Sequence, residues 1–116
     1  MAAQRTFTAS IEGVGRFVFR HRTLREEIAI GAALERMTEG QEVSDGFRQL
    51  TYMLAALEVL TVETPDDGRW DPMTMDPLDP DTFERIGTVY RGMRDAEERF
   101  RTGAIKQPQG AGTHAG

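Results

Sequence analysis

Between Arg5 and Arg20 apolar side chains recur at every second position, and downstream of Leu24 the period changes to three or four. Phe7, Ala9 and Ile11 share one face of the first segment, with Thr6, Thr8 and Ser10 on the other. Phe17 and Phe19 then share a face, opposite Arg16, Val18 and Arg20. Period-two alternation predicts strands. The intervening Glu12-Gly13-Val14-Gly15 supplies glycines for the positive φ angles of a hairpin turn. A β-hairpin over residues 5–20 follows. Two strands alone are marginal in water, so the aromatic face must rest against the remainder of the chain.

Three helices are predicted after it. Thr23-Leu24-Arg25-Glu26 reads as a capping box, in which hydroxyl and carboxylate satisfy each other's backbone amides. The helix it opens runs over about 24–39, with Leu24, Ile28, Leu34 and Met37 as its inward side and Gly40 as its stop. Small residues around Ile30, from Gly31 to Ala33, allow another element to come close. The second helix covers about 45–61, on Phe47, Leu50, Leu54 and Leu57. The third covers 80–101, with Asp79 as cap and Pro80 in the first turn. Phe83, Ile86, Tyr90, Met93 and Phe100 form its stripe, interrupted by Glu97. The expected fold class is α+β, mostly α: an N-terminal β-hairpin, a three-helix bundle and a flexible tail over 102–116. The expected core is Phe17, Phe19, Leu24, Ile28, Leu50, Leu54, Leu57, Phe83, Ile86 and Tyr90. Pro65, Pro72, Pro77 and Pro80 keep residues 63–80 out of a continuous helix. Trp70, Met73, Met75 and Leu78 are that connection's candidate anchors.

The composition narrows function by elimination. The 116 residues contain no Cys, which removes disulfides, zinc thiolates and thiol nucleophiles. A net charge of −5 makes phosphate backbones, and so nucleic acids, unfavourable partners. No segment reads as a signal peptide or a membrane span, so a cytoplasmic protein is expected. Lys106 is the sole lysine among many arginines, and Arg suits protein interfaces better than Lys.

Candidate chemistry is sparse. His114 falls in the predicted tail, and His21 is read as an exposed turn residue because no nucleophile motif accompanies it. Asp66, Asp67, Asp71, Asp76, Asp79 and Asp81 do not match calcium-loop spacing, and the Asp-Pro pairs read as turns and caps. Gly13-Val14-Gly15 is too short to cradle phosphate. The expectation is a non-enzyme with no cofactor and no metal.

A family resemblance rests on several stretches. They are Gly15-Arg16-Phe17-Val18-Phe19-Arg20, then Arg22-Thr23-Leu24-Arg25-Glu26-Glu27-Ile28-Ala29-Ile30-Gly31-Ala32, then Leu34-Glu35-Arg36-Met37-Thr38-Glu39-Gly40. Leu57-Glu58-Val59-Leu60-Thr61-Val62 and Asp76-Pro77-Leu78-Asp79-Pro80 complete the order. Over roughly residues 14–100 the chain resembles the tail assembly chaperones of tailed bacteriophages and prophages. The resemblance implies a protein of the host cytoplasm that binds the tape-measure protein, keeps it soluble and helps recruit tail-tube subunits. The alternative is a structural virion subunit, a tail-completion or head–tail connector protein, forming homo-oligomers through its hairpin.

The resemblance transfers no binding residues, and those come from surplus apolar surface. Tyr52, Met53, Val59 and Leu60 lie off the main stripe of the second helix, and the following connection can bring Trp70 and Met73 beside them. The expected partner-binding set is Tyr52, Met53, Val59, Trp70 and Met73. Residues 102–116 carry too little apolar area to offset ordering entropy. Deleting them should leave the melting temperature nearly unchanged in a thermal scan, whereas a docked tail would lower it by many degrees.

Overall fold

The computed structural model describes residues 5–65 and 70–103. It is an α+β structure, mostly α. Strands β1 (Thr6–Ile11) and β2 (Gly15–Arg20) form the hairpin. Helices α1 (Leu24–Thr38) and α2 (Asp45–Leu60) follow. A short strand β3 (Thr61–Glu63), a single 3₁₀ turn (Pro72–Thr74) and helix α3 (Pro80–Arg101) complete the order. The expected tail lies outside the described residues beyond Gly103.

The hairpin pairs Thr6 with Arg20 through Ile11 with Gly15 in unbroken antiparallel register. A third strand was not expected from the sequence. Helix α2 stops one residue earlier than predicted, and Thr61-Val62-Glu63 turns out to pair antiparallel with β2, giving the order β1-β2-β3. Two β-branched residues directly after the helix favour this extension. Gly15 makes room for it. Its φ is +140°, and a Cβ there would stand 2.7 Å from Pro65 Cγ.

The caps follow the sequence. Thr23 and Glu26 close the capping box, with the Thr23 amide donating to Glu26 Oε1 at 3.0 Å. The Ser44 hydroxyl accepts from the Phe47 amide, and Asp79 Oδ1 from the Asp81 amide. Helix α1 ends with Glu39 in the left-handed region and the Gly40 amide donating to the Glu35 carbonyl.

One layer of aromatic rings runs along the inner face of the sheet. Trp70 meets Phe17 edge-on at 5.6 Å, and Phe17 stacks on Phe19 at 5.5 Å. Phe19 tilts against Phe7 at 5.8 Å, and Phe7 stacks on Phe100 of α3 at 5.3 Å. Each such pair adds about 0.5–1.5 kcal/mol beyond its buried area. The hairpin's aromatic face thus rests on α3 at one end and on the loop before α3 at the other.

The helices turn different faces inward from those predicted. On α1 the buried positions are Glu26, Ile30, Ala33 and Thr38, while Leu24 and Ile28 are 76% and 68% exposed. On α2 they are Thr51, Ala55, Ala56, Leu57 and Leu60; Leu50 and Leu54 are half-buried and Phe47 is exposed. On α3 the stripe is Thr82, Ile86, Val89, Met93, Ala96, Glu97 and Phe100, leaving Phe83 exposed and Tyr90 half-buried. Of the predicted core, Phe17, Phe19, Leu57 and Ile86 are buried, and Leu24, Ile28 and Phe83 are corrected to the surface. The physical reason is close approach. Helix α1 packs along α2 and α3 against β1, and short side chains let the backbones come together. Two of the buried hydroxyls are satisfied within their own helices: Thr51 Oγ1 donates to the Phe47 carbonyl at 2.8 Å and Thr38 Oγ1 to the Leu34 carbonyl at 3.1 Å.

Helix α3 comes close to the sheet at Gly92, where an added Cβ would lie 2.9 Å from Ile11 Cγ1. Gly92→Ala gains helix propensity but overpacks this contact. A net loss of about 1 kcal/mol is expected by urea denaturation. In an Ile11→Ala background the same substitution should become stabilising, since the two sites touch and couple.

Candidate partner-binding site

Two surfaces gather the residues singled out in the sequence. The first is polar. Arg22, in the short link between β2 and α1, donates from Nε to Glu97 Oε2 at 2.9 Å and from Nη2 to Glu97 Oε1 at 3.1 Å. Its Nη1 reaches the Tyr52 hydroxyl at 3.2 Å and Glu27 Oε1 at 3.3 Å. Arg94, one turn back on α3, also donates to Glu97 Oε1. Glu97, the interruption noted in the α3 stripe, is 1% exposed. Burial pushes its carboxyl upward, but the Arg22 hydrogen bonds and the charges of Arg22 and Arg94 outweigh this, so it sits below its ordinary value. His21, Arg22, Tyr52, Tyr90, Arg94, Glu97 and Arg101 together line an open cleft.

This cluster is built as a clamp. Both Glu97 oxygens are occupied by guanidinium donors, which disarms the carboxylate as a base. His21 is not the exposed turn residue expected. It is half-buried, its ring lies 5.4 Å from that of Phe100, and its buried Nδ1 has no hydrogen-bond partner among the described residues. Burial, then the nearby Arg5 charge, lowers its pKa, so the ring is neutral at neutral pH. Tyr52 serves the clamp as an acceptor and is a strut between α2 and the β2–α1 link.

The second surface is apolar. Leu54, Leu57 and Glu58 in the C-terminal half of α2, with Thr61 at the start of β3, face Trp70, Asp71, Pro72 and Met73 across a cleft of about 190 Å³ that Thr64 also lines. The Asp71 carbonyl accepts from the Thr74 amide and hydroxyl, closing the turn that holds Met73 out. Met73 is 62% exposed, whereas Trp70 is half-buried through its contact with Phe17. Of the five residues expected to bind a partner, Trp70 and Met73 meet here. Met53 and Val59 are half-buried elsewhere on α2, and Leu60, grouped with them as surplus surface, is fully buried. Leu54 and Leu57, assigned wholly to the core from the sequence, form the cleft's floor. Glu58 on its rim is held by Arg36 of α1 at 2.7 Å.

The loop acids have structural tasks. Asp76 Oδ1 accepts from the Leu78 amide and Asp79 caps α3; Asp66 and Asp67 lie outside the described residues. No described helix is long and apolar enough to cross a membrane. Comparison of the chain with protein-family models, with curated proteins and with solved structures returned no match.

The clamp sets the pH response. Because the folded-state carboxyl of Glu97 lies below its ordinary value of 4.5, its contribution is complete above that pH and is lost as pH falls through the folded value. Glu97→Gln should therefore be less stable than wild type at neutral pH, with the gap narrowing under acid. Arg22→Ala, which strips the carboxylate of its main partner, should cost about 3–5 kcal/mol near neutrality. Denaturant titrations across the pH range measure both effects.

Proposed function

We propose that this protein is a non-enzymatic assembly factor that shields an apolar helix of a longer partner. On the resemblance given above, the partner is a tape-measure protein and the role that of a phage tail assembly chaperone. One observation carries the reading: the apolar cleft between α2 and the Trp70–Met73 turn. Its volume of about 190 Å³ is below the roughly 300–1,000 Å³ of small-molecule pockets. It suits one large aliphatic or aromatic side chain, the anchor with which a helix docks on a protein surface. An adaptable methionine and an amphipathic tryptophan form its outer wall, both residue types enriched at interfaces.

The rest of the surface supports it. Leu24 and Ile28 stand four residues apart on one exposed face of α1 and extend the apolar area available to a partner. A tape measure is a long helical chain whose apolar stripes aggregate when left in water. An acidic protein covering those stripes supplies both shielding and solubilising charge.

The test is co-expression with a tape-measure protein, a long helical chain, followed by affinity capture. Met73→Asp should weaken capture by roughly tenfold or more and leave the partner insoluble. Its own stability should stay within about 0.5 kcal/mol of wild type, because the side chain is mostly exposed. Trp70→Ala and Tyr52→Asp are poorer probes, since one loosens Phe17 and the other breaks the clamp. Undiminished capture by folded Met73→Asp would reject the cleft. Finding the protein at stoichiometric levels in mature particles would favour the connector reading.

A further inference from the structure

We propose that β1 is a homodimerisation edge, pairing antiparallel with β1 of a second copy about a two-fold axis at Thr8. The inference is independent of the apolar cleft. It begins with the phase of the hairpin bonds. The His21 amide donates to the Arg5 carbonyl at 2.7 Å, which makes 5/21 a hydrogen-bonded pair. With no slip in register, 7/19, 9/17 and 11/15 are bonded pairs too. The N–H and C=O groups of Thr6, Thr8 and Ser10 therefore point away from β2. Among the described residues no strand pairs with that side of β1.

The two edges of the sheet are treated differently. Strand β3 is three residues long, carries Glu63 and leads to Pro65. Its pairing with β2 is irregular between Val18 and Phe19. Short length, charge and proline are devices that blunt an edge. Strand β1, Thr-Phe-Thr-Ala-Ser-Ile, is six residues long and contains no charge, no proline and no bulge. An open edge of this kind is a template for another strand.

The free edge is self-complementary. With Thr8 opposite the second copy's Thr8, Thr6 faces Ser10 and Ser10 faces Thr6, so all the outward groups of both strands pair at once. A shift of two residues in either direction leaves some of these groups without a partner strand residue of the same kind. In the centred register the side chains also match. Phe7 lies opposite Ala9 on the face covered by α3, large against small, and threonines meet threonines or serines on the outer face. Arg5 of each copy falls opposite Ile11 of the other, one position from Glu12, so charges of opposite sign lie near both ends of the paired strands.

Sedimentation of the full chain should show a concentration-dependent doubling of mass. The amides of Thr6, Thr8 and Ser10 should gain hydrogen-exchange protection in the dimer. The Thr8 side chain is exposed on the outer face, so Thr8→Lys should keep the circular dichroism and melting behaviour of the monomer. It places like charges opposite each other at the axis and should abolish the dimer and the added protection. Mixing Thr8→Lys with Thr8→Asp should restore a dimer containing one copy of each. A wild-type chain that stays monomeric to its solubility limit overturns the proposal. So does a dimer that Thr8→Lys leaves intact, or a closed ring of more than two copies.

Discussion

A carboxylate almost wholly removed from water interrupts the apolar stripe of α3 near its C-terminal end, and the rest of the structure is arranged around it. Burying Glu97 without compensation would cost several kcal/mol. The compensation comes from Arg22, which lies in the link between the hairpin and α1, and from Arg94. Because the same guanidinium reaches Glu27 on α1 and Tyr52 on α2, one side chain touches all three helices. A pair of this kind adds little net stability over apolar residues of the same shape. Its effect is selective: any arrangement that moves the β2–α1 link away from α3 leaves a charge buried and alone.

That constraint explains which parts of the fold were legible in the sequence. Elements written by local rules were readable: the Gly-rich turn, the capping box at Thr23, the Asp79-Pro80 start of α3. The faces of the helices were not, because the largest apolar residues do not mark the inside. In the structure Ala33, Ala55, Ala56 and Ala96 hold the inward positions while Leu24, Ile28 and Phe83 do not. Close backbone approach, visible at Gly92 against Ile11, selects small side chains, and hydrophobicity scales underweight them. Glu97 carried a readable signal. An acid at a stripe position demands a counter-charge, and the question of where that charge comes from leads to an arginine distant in sequence.

The apolar cleft was legible in part for a related reason. Trp70 and Met73 stood out as lone apolar residues in a connection rich in Asp and Pro, and such residues need an anchor. Trp70 finds it on Phe17, and the turn at Pro72 then leaves Met73 in water across from Leu54 and Leu57. Tyr52 was singled out on the same grounds, an amphipathic side chain off the main stripe. Its hydroxyl serves Arg22 instead, a tertiary contact that spacing along α2 does not reveal. Strand β3 was hidden because three residues are too few to show a period.

The cleft and the β1 edge are different kinds of surface, and their combination has a consequence that neither has alone. A single cleft with room for one side chain binds weakly, because most of the binding free energy at an interface comes from a few buried anchors. A dimer joined through β1 would carry two clefts in fixed relation. A long helical partner with repeated apolar stripes offers many anchors, so the second engagement becomes intramolecular and avidity can rise by about 10²–10⁴-fold without any new contact. Release would remain easy, since each contact breaks separately. That combination, firm holding of a long chain with stepwise release, is what an assembly factor needs if subunits are to replace it along the partner.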